Sequence, residues 1–476
     1  MIKTRLAVIG NGLATGRLLD ELMRRGAVSR FEIQVFGEEP HGLYNRILIG
    51  RILGGGTQDE ITLKPTSWYA ENDITFHPGV LVDRVDPARR VVETADGEVH
   101  PYDVAVFATG SRAFIPPMDG LRGADGKPKP GIFAYRTIDD GRRIRDHAQA
   151  GSRAIVLGGG LLGLEAAKSL VDLGVHVTVV QPSETLMEQQ VDALGGQFLR
   201  RAIERLGIEI ASGVGAAGVV GEERIEAIKL SDGRSLPADL LVLACGIRPR
   251  VDAAAASGLK INRGILVDDR LGTSEPGVYA VGECAEHDGQ VYGIVEPIYE
   301  QCAVLADVLA GTDPKIRYRG SKSYTRLKVA GVGVASMGLI RPATDADEVI
   351  QIIEERTGTY RKLIVRDDRL VGAVLVGETS CSPDLARWLD RGDPLPVNRV
   401  DVLCSGGAFA ASADPEICNC HHVRESTLVA AIQDGRTNLN QIGQATRAGT
   451  GCGSCRGQIA HLLTVHAKPA AVLSEA

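Results

Sequence analysis

Four cysteines near the end of the chain could do chemistry as a group: Cys418, Cys420, Cys452 and Cys455. Their spacing is C-x-C, then 31 residues, then C-x-x-C. Two close pairs of thiols can converge on one metal centre, because four thiolates suit both tetrahedral zinc and an iron–sulfur cluster. Zinc sites of this length more often pair two C-x-x-C knuckles, and here the first pair is C-x-C. Between the pairs, Leu428, Ile432, Leu439 and Ile442 fall at the spacing of small helices that bury one face. Gly449, Gly451 and Gly453 let the backbone approach a metal closely. His421 and His422 follow the first pair, but four cysteines already suffice, so they read as helix-start residues or as supports standing just behind the ligands. Cys404, 14 positions before Cys418, reads as a lone structural thiol.

A second chemistry is written in two glycine loops. Leu6-Ala7-Val8-Ile9 is a short apolar run of the kind that forms a buried parallel strand. Gly10-Asn11-Gly12-Leu13-Ala14-Thr15-Gly16 follows, and then a helix with Leu18, Leu19 and Leu22 on one side. Strand, glycine turn and helix make a dinucleotide site, in which N–H groups at the helix start bind a pyrophosphate. Thr15 stands where the third glycine of the fingerprint is usual. A second strand, Phe31 to Phe36, leads to Glu38 and Glu39. Glu39 lies 24 residues after Thr15, near the place of the acid that binds an adenosine ribose.

The second loop matches the fingerprint fully, at Gly158, Gly160 and Gly163, after the strand Arg153–Leu157. The following strand, Val175 to Val180, ends at Gln181, 18 residues after Gly163. An acid is usual there for NAD, and a nearby arginine for NADP. Gln181 can still hydrogen-bond a ribose, and Pro182-Ser183-Glu184 offers no cation, so NADH is expected over NADPH. Two loops imply two nucleotides, read as resident FAD and transient NADH. NADH delivers electrons in pairs and an iron–sulfur centre, if that is what the cysteines hold, takes them singly, so a flavin must stand between.

Length and composition frame these sites. The 476 residues are enough for about three domains, and 44% hydrophobic with 24% charged residues is ordinary globular material. A net charge of −7 argues against a nucleic-acid partner. No run approaches the roughly 18 apolar residues of a membrane helix. MIKTR runs straight into the first strand with no separate signal region, so a cytoplasmic protein with no membrane partner is expected. Nine cysteines, four of them clustered, fit metal binding in a reducing compartment better than a disulfide framework. Cys245, Cys284, Cys302 and Cys381 are isolated and read as buried structural thiols.

Further motifs carry a resemblance. Tyr102–Ser111, with Ala108-Thr109-Gly110, and Thr273–Glu283, with Tyr279-Ala280-Val281-Gly282-Glu283, resemble the two-dinucleotide-domain flavoproteins that include ferredoxin reductases and glutathione reductase. The resemblance implies that the Thr109-Gly110 turn crosses between domains and that Glu283, beside Gly282, lies on the ribityl chain of FAD. The disulfide reductases of that class carry a cysteine pair after the first βαβ unit. The segment His41 to Leu48 has none, so electrons must leave the flavin directly.

Longer stretches narrow the likeness: Phe36–Gly42, Tyr44-Asn45-Arg46-Ile47-Leu48, Trp68–Asn72, Gly158–Ala167, Gly264–Asp269 and Tyr279–His287. These resemble the flavin-containing half of bacterial NAD(P)H nitrite reductase large subunits, and the related electron-transfer subunits of assimilatory nitrate reductase. The resemblance places Arg46 near the flavin. It also makes the cysteine module similar to bacterioferritin-associated ferredoxin, with a [2Fe–2S] cluster on Cys418, Cys420, Cys452 and Cys455. No cysteine follows Cys455 to build a sirohaem domain, so the terminal reduction is expected on a separate polypeptide, a molybdenum nitrate reductase.

The expected fold is α/β: two Rossmann-like domains of the flavoprotein reductase type, a small α+β interface domain and a C-terminal helical [2Fe–2S] module. Residues 1–120 and 271–310 are expected to bind FAD, 151–270 to bind NADH, 318–400 to form the interface domain and 414–466 the cluster module. Asp393-Pro394-Leu395-Pro396 and Ser405-Gly406-Gly407 mark a linker, and with the small, weakly patterned residues Ala410 to Ala413 it reads as a tether on which the cluster module could move. FAD contacts are expected from Gly10, Gly12, Thr15, Glu38, Glu39, Arg46, Thr109, Gly110, Gly282 and Glu283, and NADH contacts from Gly158, Gly160, Gly163 and Gln181. No side chain is needed as nucleophile or general base. Two other functions fit these motifs: a reductase serving nitrite reductase or a ferredoxin- or rubredoxin-type acceptor, and a cluster-handling binding module.

Overall fold

The computed structural model describes residues 3–322, 324–404, 414–418, 421, 423–451, 453 and 455–466. The apolar run Leu6–Ile9 sits at the centre of a five-stranded parallel sheet. Strand Thr4–Ile9 lies between Phe31–Gly37 and Val104–Phe107, with Ile74–Pro78 and Val278–Ala280 at the two edges. Leu6 pairs with Ile33 on one side and Val104 on the other. Both faces of the strand are covered, which is why the sequence there is continuously apolar rather than alternating. Strand order reverses at Thr4–Ile9, so a crevice opens at its C-terminal end, where Gly10 begins. The helix Leu13–Arg24 buries Leu18, Leu19 and Leu22 and packs on the helix Val295–Ala310.

The second sheet repeats this plan. Its order is Ile132–Ala134, Leu240–Leu243, Arg153–Leu157, His176–Gln181 and Ile208–Ser212, all parallel. The helix Leu161–Asp172 follows its glycine loop. An antiparallel pair, Ser111–Ala113 with Ile247–Pro249, runs from one sheet to the other. It starts just after Thr109-Gly110, and Thr109 Oγ1 donates to the Arg250 carbonyl (2.6 Å).

A third, antiparallel sheet orders Tyr324–Val329, Val332–Gly338, Arg369–Gly377, Thr359–Arg366 and Glu348–Glu354. It is fastened to the second unit by a buried polar knot. Asp192 caps the helix Ala193–Glu204 through the Gly195 N–H (3.0 Å). Its other oxygen accepts from Lys362 Nζ (2.5 Å) and Tyr360 Oη (2.8 Å).

The C-terminal segment folds as a short antiparallel pair, Glu416–Cys418 with Val423–Arg424, and three helices, Glu425–Gln433, Leu439–Thr446 and Arg456–His466. Leu428, Ile432, Ile442 and Ile459 are buried, and Leu439 is partly so. They do not close a separate core. One apolar cluster runs from Leu18, Leu19 and Cys302 of the first unit through Ile417, Leu428 and Ile459. Of the expected linker, Asp393-Pro394-Leu395-Pro396 is packed instead on the third sheet, with Leu395 buried and its N–H donating to the Asp368 carbonyl (2.7 Å); residues 405–413 lie outside the described residues, and the module beyond them is docked on the first unit.

Candidate functional site

Each glycine loop is shaped by close approach on one side and open space on the other. Gly10 has φ +110°, and a Cβ there would stand 2.2 Å from the Ala108 carbonyl. Gly158 has φ +111° and would meet the Ala244 carbonyl at 2.3 Å. Gly163 lies against Gly158, where a Cβ would be 2.0 Å from its carbonyl oxygen. Gly12 and Gly160, each at the N-cap of its helix, have nothing within 4 Å of a Cβ. Those two open positions, facing unpaired first-turn N–H groups, are cradles that fit a pyrophosphate. At the first loop, Thr15 Oγ1 donates to the Gly10 carbonyl (2.7 Å), so the threonine ties the loop to its helix.

The two acids after the second strand diverge. Glu38 is paired with Arg250, whose Nη2 donates to Oε1 at 2.8 Å. Glu39 accepts from Tyr44 Oη (2.7 Å) and from Arg46 Nη2 (2.6 Å). Arg46 Nη1 in turn donates to the Arg136 carbonyl (2.9 Å). Arg136 pairs with Glu283, and both Arg136 Nη2 (2.7 Å) and Glu283 Oε2 (2.6 Å) are bonded to Ser111 Oγ. A Cβ on Gly110 would be 3.8 Å from Glu283 Oε2, so the interdomain turn faces this acid. Gly282 donates its N–H to Gln301 Oε1 (2.8 Å).

The result is one partly enclosed network of two guanidinium groups and two carboxylates. Burial opposes the charge on Arg46, but Tyr44, Glu39 and Glu283 more than offset it and raise its pKa. Arg136 goes the other way, pushed below its ordinary value by burial against the pull of Glu283. Its Nε is buried with no hydrogen-bond partner among the described residues. Two fixed guanidinium groups can balance negative charge arriving at an electron acceptor. Arg136 was not among the sequence candidates, because a single arginine in Tyr135-Arg136-Thr137 carries no local signal.

At the second loop, Gln181 is buried, and its Oε1 accepts the Gly159 N–H (2.7 Å). Its Nε2 donates to Glu188 Oε2 (2.8 Å). An acid therefore does stand beside the expected ribose position, seven residues on, where a search for a carboxylate at the strand end would not look. Glu165, in the first turns of the helix Leu161–Asp172, is another residue the motif contained without a role. Burial alone raises its carboxyl to about 7. The nearby Tyr135 Oη is buried without a hydrogen-bond partner among the described residues.

Of the four clustered thiols, Cys418 and Cys455 are both buried and share one apolar cluster. Cys420, Cys452 and His422 lie outside the described residues. Arg447, Gly449 and Gly453 have positive φ (64°, 80° and 77°) and curl the second cysteine loop. A pair of buried thiols served by a glycine-rich loop is the donor chemistry of an iron–sulfur site. The remaining thiols differ. Burial raises Cys245 and Cys381 to about 11, and it raises Cys284 and Cys302 as well. A thiol so raised is a poor redox relay. His421 contacts Arg17, Thr450 and the Tyr299 ring.

Comparison with known proteins agrees with this division of labour. Residues 4–304 match the family described as pyridine nucleotide-disulphide oxidoreductase. Residues 324–393 match the rubredoxin NAD+ reductase C-terminal domain, and 416–464 the BFD-like [2Fe–2S] binding domain. The chain is 38% identical to "Nitrite reductase [NAD(P)H]" of Bacillus subtilis (strain 168), over 97% of this chain and 58% of that protein. It is 36% identical to the "Assimilatory nitrate reductase electron transfer subunit" of the same organism, over 97% and 60%. The chain thus spans about three-fifths of the length of these relatives. Among solved structures, the covalent putidaredoxin reductase–putidaredoxin complex superposes with a TM-score of 0.74 at 24% identity, covering 86% of this chain and 100% of that one. At such identity the likeness speaks for the fold. FAD, a nicotinamide nucleotide and a [2Fe–2S] cluster are the cofactors that go with these domains. The chain belongs to the pyridine nucleotide-disulphide oxidoreductase family, as an NAD(P)H-dependent flavoprotein reductase with a BFD-like [2Fe–2S] domain.

Proposed function

We propose that this protein passes electrons from NADH through FAD and the [2Fe–2S] cluster to a separate nitrate reductase catalytic subunit. The observation that carries the reading is the contact between the cysteine module and the flavin unit in one apolar cluster. When bound, FAD accepts electrons as a pair and releases them singly. The side chains bind, orient and balance charge. Gly12 and Gly160 leave room for the two pyrophosphates, and Glu283 faces the ribityl chain of FAD. Arg46 and Arg136 face the flavin ring, and Gln181 with Glu188 takes the adenosine ribose of NADH. Glu188 supplies the negative charge that Gln181 lacks, which disfavours the 2′-phosphate of NADPH. Cys418, Cys420, Cys452 and Cys455 hold the cluster. The four units follow the boundaries given from sequence, and the setting is the cytoplasm. Among the described residues no helix is long and apolar enough to cross a membrane.

The nitrate assignment draws on the likeness to an electron transfer subunit of assimilatory nitrate reductase. The likeness to nitrite reductase is as extensive, and favours a second reading in which the acceptor reduces nitrite. Co-purification from the native host, followed by NADH oxidation assays with nitrate and with nitrite, separates the two. Nitrate-dependent oxidation by the co-purified complex is the expected result. Oxidation driven by nitrite alone would sink the nitrate assignment.

A further inference from the structure

The motif Tyr44-Asn45-Arg46 points two ways. Tyr44 ends the strand Leu43–Tyr44, and Asn45 is extended at φ −78°, ψ 96°. Consecutive side chains on extended backbone leave on opposite sides. Tyr44 and Arg46 meet at Glu39. Asn45 turns away from them and is almost wholly buried, 1% exposed.

What Asn45 meets is the cysteine module. Its Nδ2 donates to the Gly451 carbonyl (2.6 Å) and, more weakly, to the Thr450 carbonyl (3.3 Å). Gly451 is the residue before Cys452. The side chain's oxygen accepts the Ile47 N–H (3.1 Å), which fixes the orientation of the amide: a flipped group would set N–H against N–H. All the polar atoms of this buried amide are thereby matched. Nearby, a Cβ on Gly453 would stand 3.8 Å from Leu48. A second polar link lies apart from this one, where Arg17 Nη1 donates to His421 Nδ1 (2.8 Å) and the ring's Nε2 contacts Thr450 Oγ1 (3.1 Å).

We propose that Asn45 is a positioning residue for electron transfer: it fixes the second cysteine loop against the flavin pocket, so that three consecutive residues span the gap from donor to acceptor. The inference rests on the electron path proposed above. Each transfer moves one electron, oxidising the flavin and reducing one cluster, and the hydride from NADH supplies two. Asn45 takes no part in the chemistry. It sets the distance and orientation across which the electron passes, and the rate of electron tunnelling falls exponentially as that distance grows.

The test uses the purified full chain loaded with FAD and cluster. NADH is mixed in rapidly without oxygen, and the flavin and cluster bands are followed separately in wild type, Asn45→Leu and Asn45→Asp. Leucine removes the amide at similar size, and aspartate sets an acceptor against two carbonyls. The inference predicts that flavin reduction and NADH–ferricyanide turnover stay within about twofold, while cluster reduction slows by about tenfold or more. It also predicts faster proteolytic release of the module from the variants. Wild type whose cluster is not reduced by NADH would break the electron path itself. Variants with full FAD and cluster content that reduce the cluster at the wild-type rate would overturn the role of Asn45 alone. If both Asn45 variants fail to fold, Arg17→Met decides. It removes the second link, and the docking account requires slower cluster reduction with unaltered flavin reduction, whereas a wild-type rate contradicts it.

Discussion

Gly158 and Gly160 are two positions apart and serve different ends. Gly158 is strained for any other residue, both by its φ of +111° and by the Ala244 carbonyl 2.3 Å from a Cβ. Gly160 has free space around it, which on the proposed reading is room for the pyrophosphate of NADH. Gly158→Ala is therefore expected to lower the melting temperature. Gly160→Ala is expected to leave stability within about 0.5 kcal/mol and to raise KM for NADH; calorimetry and initial rates check both. Glu165 gives a pH signature. Its folded-state carboxyl is raised by burial from 4.5 to about 7, so the native state holds the proton longer than the unfolded chain. Stability from this group is full below about pH 4.5, falls as pH rises, and levels off above about 7. Glu165→Gln should remove the slope, so that the variant gains on wild type between pH 5 and pH 8 by on the order of 1–3 kcal/mol, read as a difference in melting temperature. The glycine fingerprints were legible because their spacing within seven residues is itself a local pattern, although Gly10 and Gly158 answer to the distant carbonyls of Ala108 and Ala244. Arg136 and Glu188 were not, since their roles depend on partners in other elements or around a turn.

At the scale of elements, Lys362 is the clearest case for prediction. It is 3% exposed on the side chain and paired with Asp192, across the boundary between the third sheet and the helix Ala193–Glu204. Burial works to raise Asp192, but Lys362, the Gly195 N–H and Tyr360 hold it below its ordinary value of 3.8. A depressed carboxylate contributes stability above its unfolded-state pKa and loses it as pH falls through the lower folded value. Lys362→Met strands the carboxylate in a buried place and should cost about 3–5 kcal/mol at neutral pH, measured by urea unfolding. Double replacement by Lys362→Met with Asp192→Asn should recover part of that loss. The parallel strands could be read from short apolar runs, and the antiparallel strands from Lys362–Arg366 and Leu370–Val376. The knot between them could not. Asp192 and Lys362 are 170 residues apart, and neither shows its partner in local pattern.

The whole molecule is less modular than its sequence implies. Small residues between Cys404 and Asp414 read as a tether, yet the cysteine module shares its apolar cluster with the helices Leu13–Arg24 and Val295–Ala310. The Arg17–His421 contact closes a separation of 404 residues, beyond the reach of any local periodicity. Two close cysteine pairs could be read from the sequence, but the contact of Asn45 with Gly451 is a matter of tertiary packing. On the electron path proposed above, that contact favours an internal electron outlet over a structural metal staple. The direct measurement is anaerobic mixing of the loaded protein with NADH in the absence of any acceptor, reading flavin by absorbance and cluster by electron paramagnetic resonance. The account predicts bleaching of the flavin followed by the signal of a reduced [2Fe–2S] centre. A flavin that bleaches while the cluster stays oxidised would contradict it.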